Sequence, residues 1–162
     1  MRLSNWGEGV NDTRKYPSRP FVGVGAVVVQ QGSVLLVKRK HDPMAGQWSL
    51  PGGAVEVGET LADCLVRELI EETGLEVGVG PIVEVFDRIT HDEAGRIAYH
   101  FVLVDYLCWP LGGTLCPGSD VADAVFADPE DLGAYALNQK AVSVIGLAMG
   151  LVRDGLGPPR RE

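Results

Sequence analysis

The stretch that most constrains this chain runs from Pro51 to Gly74. Pro51-Gly52-Gly53 is a side-chain-poor turn that is not expected to continue regular structure, and a helix is expected after it. Thr60 is the N-cap of that helix, Asp63 completes a capping-box-like pair, and Gly74 occupies the C′ position. At about 100° per residue, Glu68, Glu71 and Glu72 fall on one face, being spaced i, i+3, i+4. Ala62, Val66, Leu69 and Ile70 fall on the roughly opposite arc, which is the expected packing face. Residues 53–76 hold seven acidic side chains against one basic one, Arg67. Like charges at helical spacing repel, so stability alone explains this pattern poorly. A hard divalent cation such as Mg²⁺ explains it, because Mg²⁺ takes oxygen from a few carboxylates and from substrate phosphates. The competing reading is a solvated acidic face. The Gly-Gly turn weighs against it, since bare backbone can approach a metal or a phosphate closely.

From Gly53 the chain reads GAVEVGETLADCLVRELIEETGL. The fixed positions are Gly53, Glu59, Arg67-Glu68-Leu69, Glu71-Glu72 and Gly74-Leu75. This resembles the Nudix box of the Nudix (MutT-like) hydrolase superfamily at every position. The flanks agree, notably Gly46-x-Trp48-x-Leu50-Pro51-Gly52-Gly53, and the likeness extends over about residues 20–150. The resemblance implies an α+β fold, a Nudix-like α/β/α sandwich with a mixed sheet. It implies a domain at 20–150 between tails at 1–19 and 151–162.

The resemblance also implies a reaction: Mg²⁺-dependent hydrolysis of the pyrophosphate of a nucleoside diphosphate linked to a moiety X, giving a monophosphate and X-phosphate. Mn²⁺ is the alternative ion. By the same resemblance Glu68 and Glu72 are the main metal ligands, joined by a carbonyl of Gly52 or Gly53. Glu71 binds a second metal or takes the proton of water, Glu59 supports the metal shell, and Arg67 fixes a glutamate rotamer. Which glutamate is the base is left open. Arg39, at the end of a basic strand with Lys38 and Lys40, is the first choice for holding substrate phosphates. Asp120 and Asp123 are candidates for an extra loop carboxylate. The proline and tyrosine that mark some sub-families downstream of the box are replaced by Thr90, Asp92 and Glu93. ADP-ribose or a nucleotide sugar is favoured as substrate. The alternatives are a nucleoside triphosphate pyrophosphatase and a non-catalytic nucleotide sensor.

The remaining sequence fits one soluble domain. Its 162 residues are enough for a core without staples. Phe21–Val29 and Ser33–Lys40 read as a hairpin around Gln31-Gly32. Trp48–Leu50, Ile82–Ile89, Ile97–Trp109 and Ala124–Ala127 read as strands, and Leu137–Met149 as a second helix. Trp48 is expected in packing rather than under a base. Three scattered cysteines make neither a disulfide framework nor a zinc ribbon. A net charge of −8 argues against nucleic-acid partners. The apolar run near the end is too short and interrupted for a membrane span. A cytoplasmic protein, with a homodimer as one option, is the expectation.

Overall fold

The structure is a computed structural model that describes residues 13–41 and 44–158. Its strands are β1 (Phe21–Gln30), β2 (Ser33–Arg39), β3 (Trp48–Ser49), β4 (Gly52–Ala54), β5 (Leu75–His91), β6 (Ile97–Gly113) and β7 (Val121–Ala127). The helices are α1 (Leu61–Thr73) and α2 (Gln139–Arg153), with a short 3-10 turn at Gly133–Tyr135. The seven strands form one mixed sheet, with β3-β2-β1-β6-β5 as its main path. The β1–β6 pairing is parallel, and β5–β6 is a long antiparallel hairpin.

Alternation along buried strands divides the core into two layers. Val24, Ala26 and Val28 of β1, with Leu35 and Val37 of β2, pack on Cys64, Leu65 and Leu69 of α1. Val27, Val29, Val34 and Leu36 point the other way and pack on Val144, Ile145 and Ala148 of α2. A helix thus covers each face, as expected for the α/β/α sandwich. Among the described residues no helix is long and apolar enough to cross a membrane.

The local signals hold where the physics is local. Gln31 and Gly32 both have positive φ (48° and 79°), the conformation of a tight hairpin turn. Thr60 Oγ1 accepts from Asp63 N at 3.1 Å, and Gly74 closes α1 in the left-handed region with its N–H on Ile70 O.

Three expectations are corrected. Gly52–Ala54 does continue regular structure: it pairs antiparallel with Gly23–Gly25 of β1. Strand β5 starts at Leu75, well before the expected Ile82, and passes through Gly80 and Pro81 with register shifts. As the outermost strand of the main path it tolerates a proline that cannot donate to a neighbour. The packing face of α1 is also displaced. Its buried residues are Cys64, Leu65, Leu69 and Thr73, whereas Ala62 is exposed and Ile70 is 47% exposed. α2 runs from Gln139 to Arg153, where Leu137–Met149 was expected. Tyr16 is tied to the β5–β6 hairpin, its N–H bonding Ala98 O at 2.8 Å and its hydroxyl Asp92 Oδ2 at 2.9 Å. Of the expected tails, residues 1–12 and 159–162 lie outside the described residues.

Candidate active site

The β1–β2 hairpin opens as it leaves its turn. The two strands pair only at Val29–Val34 and Gln30–Ser33. The segment 48–54 fills the wedge between them. Its first part pairs with β2 as β3, its second with β1 as β4, and Ala26 N reaches Pro51 O between them at 2.9 Å. The two glycines of the turn serve different contacts. A Cβ on Gly52 would lie 2.0 Å from Val24 O, so Gly52 permits the strand pairing. A Cβ on Gly53 would lie 2.4 Å from the Glu68 carboxyl carbon, so Gly53 leaves a seat for that carboxylate.

The displaced packing face of α1 explains the seat. At about 100° per residue, Glu68 and Glu72 point in the directions bracketed by Cys64 and Leu69. They therefore face the sheet rather than solvent. Glu72 Oε2 accepts from Gly52 N at 3.0 Å. Burial, and then the neighbouring Glu68, push the Glu72 carboxyl up to about 8. Burial also raises Glu68, against the pull of Arg67.

Arg67 organises the rim. Its Nε and Nη2 donate to the two oxygens of Glu59, at 2.6 and 3.0 Å. Its Nη1 donates to Glu68 Oε1 at 2.9 Å and to Glu71 Oε2 at 3.3 Å. The Arg67 hydrogen bonds hold Glu59 down at about 2. Glu59 also accepts from Glu56 N at 3.0 Å, which clips the loop before the helix.

A cleft of about 80 Å³ opens beside this cluster, and Arg39, His41, Ser49, Gly52, Glu72 and Asp120 line it. Asp120 reaches it because its loop is anchored on the end of α1. Cys116 N bonds Thr73 O and Gly118 N bonds Glu72 O, both at 2.9 Å, and Lys40 N bonds Asp120 O at 3.2 Å. The Asp120 carboxylate lies 3.6 Å from His41 Nε2. Arg39, opposite Glu72, has its pKa lowered by burial.

Of the residues singled out from sequence, Glu59, Arg67, Glu68 and Glu71 form one hydrogen-bonded cluster, and Glu72 joins it through Gly52 and Gly53. Arg39 and Asp120 face it across the cleft. Asp123 stands apart: it is exposed on β7, in register with Lys38, and its carboxylate accepts from Ala124 N at 2.8 Å. Trp48 packs edge-on against Tyr135, with ring centroids 5.1 Å apart. His41 and Ser49 were missed. His41 lies just past the end of β2, so strand alternation gave no signal for it.

The donor set fits a hard divalent cation. Two largely buried carboxylates, Glu68 and Glu72, sit side by side against the glycine turn, Glu72 on Gly52 N–H and Glu68 over Gly53. Among the described residues, no three His, Cys, Asp or Glu side chains form a ready-made cage. That is compatible with an ion completed by water and substrate oxygens.

A profile of the NUDIX domain matches residues 19–145. The chain belongs to the NUDIX family. The chain is 34% identical, over 133 residues, to an ADP-ribose pyrophosphatase of Methanocaldococcus jannaschii, covering 81% of this chain and 76% of that one. Among solved structures it is similar to a MutT NUDIX hydrolase from Burkholderia pseudomallei, with a TM-score of 0.69 and 30% identity over 80% of this chain and 98% of the other. It is also similar to an ADP-ribose pyrophosphatase from Streptococcus suis, with a TM-score of 0.66 and 27% identity over 86% and 97%. This NUDIX chain is a pyrophosphohydrolase, and NUDIX hydrolases use divalent metal ions.

Proposed function

We propose that this NUDIX hydrolase cleaves the pyrophosphate of a nucleoside diphosphate linked to a second moiety, with ADP-ribose or a nucleotide sugar first, using Mg²⁺ or Mn²⁺ in the cytoplasm. The observation that carries the reading is the pairing of Glu68 and Glu72 on the Gly52-Gly53 turn, at one side of a cleft whose other side carries Arg39. A pyrophosphate needs both signs of partner. The carboxylates serve it through a cation, and the guanidinium serves it directly. The relative from M. jannaschii, aligned over most of both chains, supports the choice of ADP-ribose.

In this reading Glu68, Glu72 and a carbonyl of the glycine turn hold the cation. Bound there, a divalent ion neutralises phosphate charge and lowers the pKa of water. Glu68 is locked by Arg67 and by its seat on Gly53, and Glu72 by Gly52 N–H. Among the described residues Glu71 has only the longer 3.3 Å contact to Arg67 and is the freer carboxylate, so it receives the proton of the attacking water. Arg67 and Glu59 position rather than react. Arg39 would hold the substrate phosphates, and Asp120, which lines the same cleft, would be available to the cation. Water oxygen adds to one phosphorus, the bridging oxygen leaves with the other phosphate, and the products are a monophosphate and X-phosphate.

The test is a panel of nucleotide sugars, ADP-ribose and nucleoside triphosphates with Mg²⁺ or Mn²⁺, products resolved by chromatography. The expected result is AMP and ribose 5-phosphate from ADP-ribose. Release of inorganic pyrophosphate from triphosphates alone would move the activity to nucleotide-pool sanitation. No monophosphate from any compound would overturn the reading.

A further inference from the structure

Among the described residues, the outer edge of β5 has no neighbouring strand. β5 ends the main path of the sheet and pairs with β6 alone. In an antiparallel ladder every second residue turns its N–H and C=O away from the partner, so this edge presents a row of backbone groups to a further strand. Exposed edges are usually blunted by lysine, proline or a covering segment. Pro81 does so near the start, but from Ile82 to His91 the sequence holds neither lysine nor proline.

The edge also exposes apolar side chains on one face. Ile82, Val85 and Ile89 are 50%, 56% and 47% exposed. Across the ladder they meet Tyr106, Val104 and His100, and Tyr106 and Val104 pack towards α1. Ile82 pairs with Tyr106 and Glu84 with Asp105, so Val83 is the extra residue of a bulge. The bulge places Ile82 on the same face as Val85 and Ile89, at a margin of the sheet that α1 does not cover. By alternation the other face carries Glu84, Phe86 and Arg88. There Glu84 stands opposite Asp105 and accepts from the Lys140 ammonium, so two carboxylates share one lysine.

This pattern is complementary to itself. Opposite residues of an antiparallel pair lie on one face of the sheet. A two-fold axis at Phe86 would set Val85 opposite Asp87, Glu84 opposite Arg88 and, past the bulge, Ile82 opposite Ile89, each of them twice. Opposite charges then meet, and the isoleucines cover one another. An axis at Asp87 or Arg88 would set like charges opposite, which destabilises a pair. An axis at Val85 would set Glu84 against Phe86.

We propose that this chain forms a two-fold dimer in which β5 of one copy pairs antiparallel with β5 of the other about Phe86, making one continuous sheet. The occupant of the edge is a second copy because one register satisfies both the charges and the apolar side chains. Backbone hydrogen bonds supply the contact, and the isoleucine pairs and the Glu84–Arg88 pairs fix its register. The partner's Arg88 brings a second cation beside the two carboxylates that share Lys140. The contact is a single strand pair, smaller than a standard interface, so the dimer is concentration-dependent.

Sedimentation velocity of the full chain over a concentration series, read together with hydrogen exchange, tests this. A monomer–dimer equilibrium is expected, with exchange in Ile82–Thr90 slowing as concentration rises. Ile82→Lys/Ile89→Lys sets like charges opposite and is expected to weaken the dimer at least about tenfold. Ile82→Lys/Ile89→Glu changes the same two half-exposed positions but sets opposite charges together. It is expected to dimerise at least about tenfold more tightly than the first variant, although the first lowers the net negative charge of the chain and the second does not. Should either fail to fold, Arg88→Glu decides, with an expected weakening of at least about fivefold. A monomer at every concentration, protection confined to segments other than β5, or equal dimer affinity in the variants compared would overturn the proposal. Turnover is no part of the readout, so the outcome is independent of the hydrolase reading.

Discussion

Glu72 and Gly53 carry the sharpest residue-level consequences. Glu72→Gln keeps an oxygen for Gly52 N–H but loses the charge. Its kcat/KM is expected to fall by at least about 100-fold, with a melting temperature equal to or above wild type, because a buried carboxylate next to Glu68 is removed. Unchanged turnover would take Glu72 out of the site. The two glycines should separate cleanly. Gly53→Ala meets only the tip of a flexible glutamate, so it is expected to cut activity at little cost in stability. Gly52→Ala meets the Val24 carbonyl and is expected to destabilise the fold by about 2 kcal/mol or more. Equal melting temperatures for the two variants would contradict this. Asp105 supplies a pH signature. Burial, and then Glu84, push its carboxyl up to about 6, while Lys140 and Arg88 pull it down. An acid whose folded pKa lies above its unfolded value of about 3.9 favours the folded state most when protonated. Its contribution to stability therefore falls as pH rises from about 4 to about 6 and stays low above that. Asp105→Asn is expected to be more stable than wild type at pH 7 by about 1–3 kcal/mol, with the gap closing near pH 4. Urea unfolding at the two pH values measures the difference, and a gap that widens on acidification would reverse the sign.

At the scale of elements, α1 was the most legible part of the chain. Its start and stop are set by contacts within a few residues: the Thr60 hydroxyl on Asp63 N and the left-handed Gly74. Thr60→Ala is expected to cost about 1 kcal/mol and to shift the denaturant midpoint without changing its slope. Its rotation was not legible. Periodicity shows which residues share a face, but not which face meets the sheet, and here the carboxylates share the inward one with Cys64, Leu65 and Leu69. The strand limits failed for a related reason. Gly52–Ala54 and Leu75–Pro81 have poor strand composition, yet β1 and β6 supply partners for their backbone groups. Pairing with a neighbour outweighs β propensity, which is a weak and context-dependent preference.

For the molecule as a whole, the cation seat joins α1 to both halves of the wedge: the turn paired with β1 and, across the cleft, the end of β2. A divalent ion that binds the folded chain alone should stabilise it by mass action, about 2.7 kcal/mol at 100 times its dissociation constant. Thermal melts with Mg²⁺ against a chelator are expected to show that gain in wild type and to lose most of it in Glu72→Gln and Gly53→Ala. A gain of equal size in all three would place the ion elsewhere. The sequence by itself determined the family, the helix with its caps, the first hairpin and the identity of the box carboxylates. Each of these depends on neighbours along the chain or on a fixed spacing of residue types. Only the tertiary structure decided that Glu68 and Glu72 face inward, that Asp120 rather than Asp123 reaches the cleft, and that His41 lines it. It alone brought Asp105, Glu84 and Lys140 together from β6, β5 and α2. Those are matters of strand register and helix rotation, and they follow from contacts between segments far apart in the chain, which local spacing does not encode.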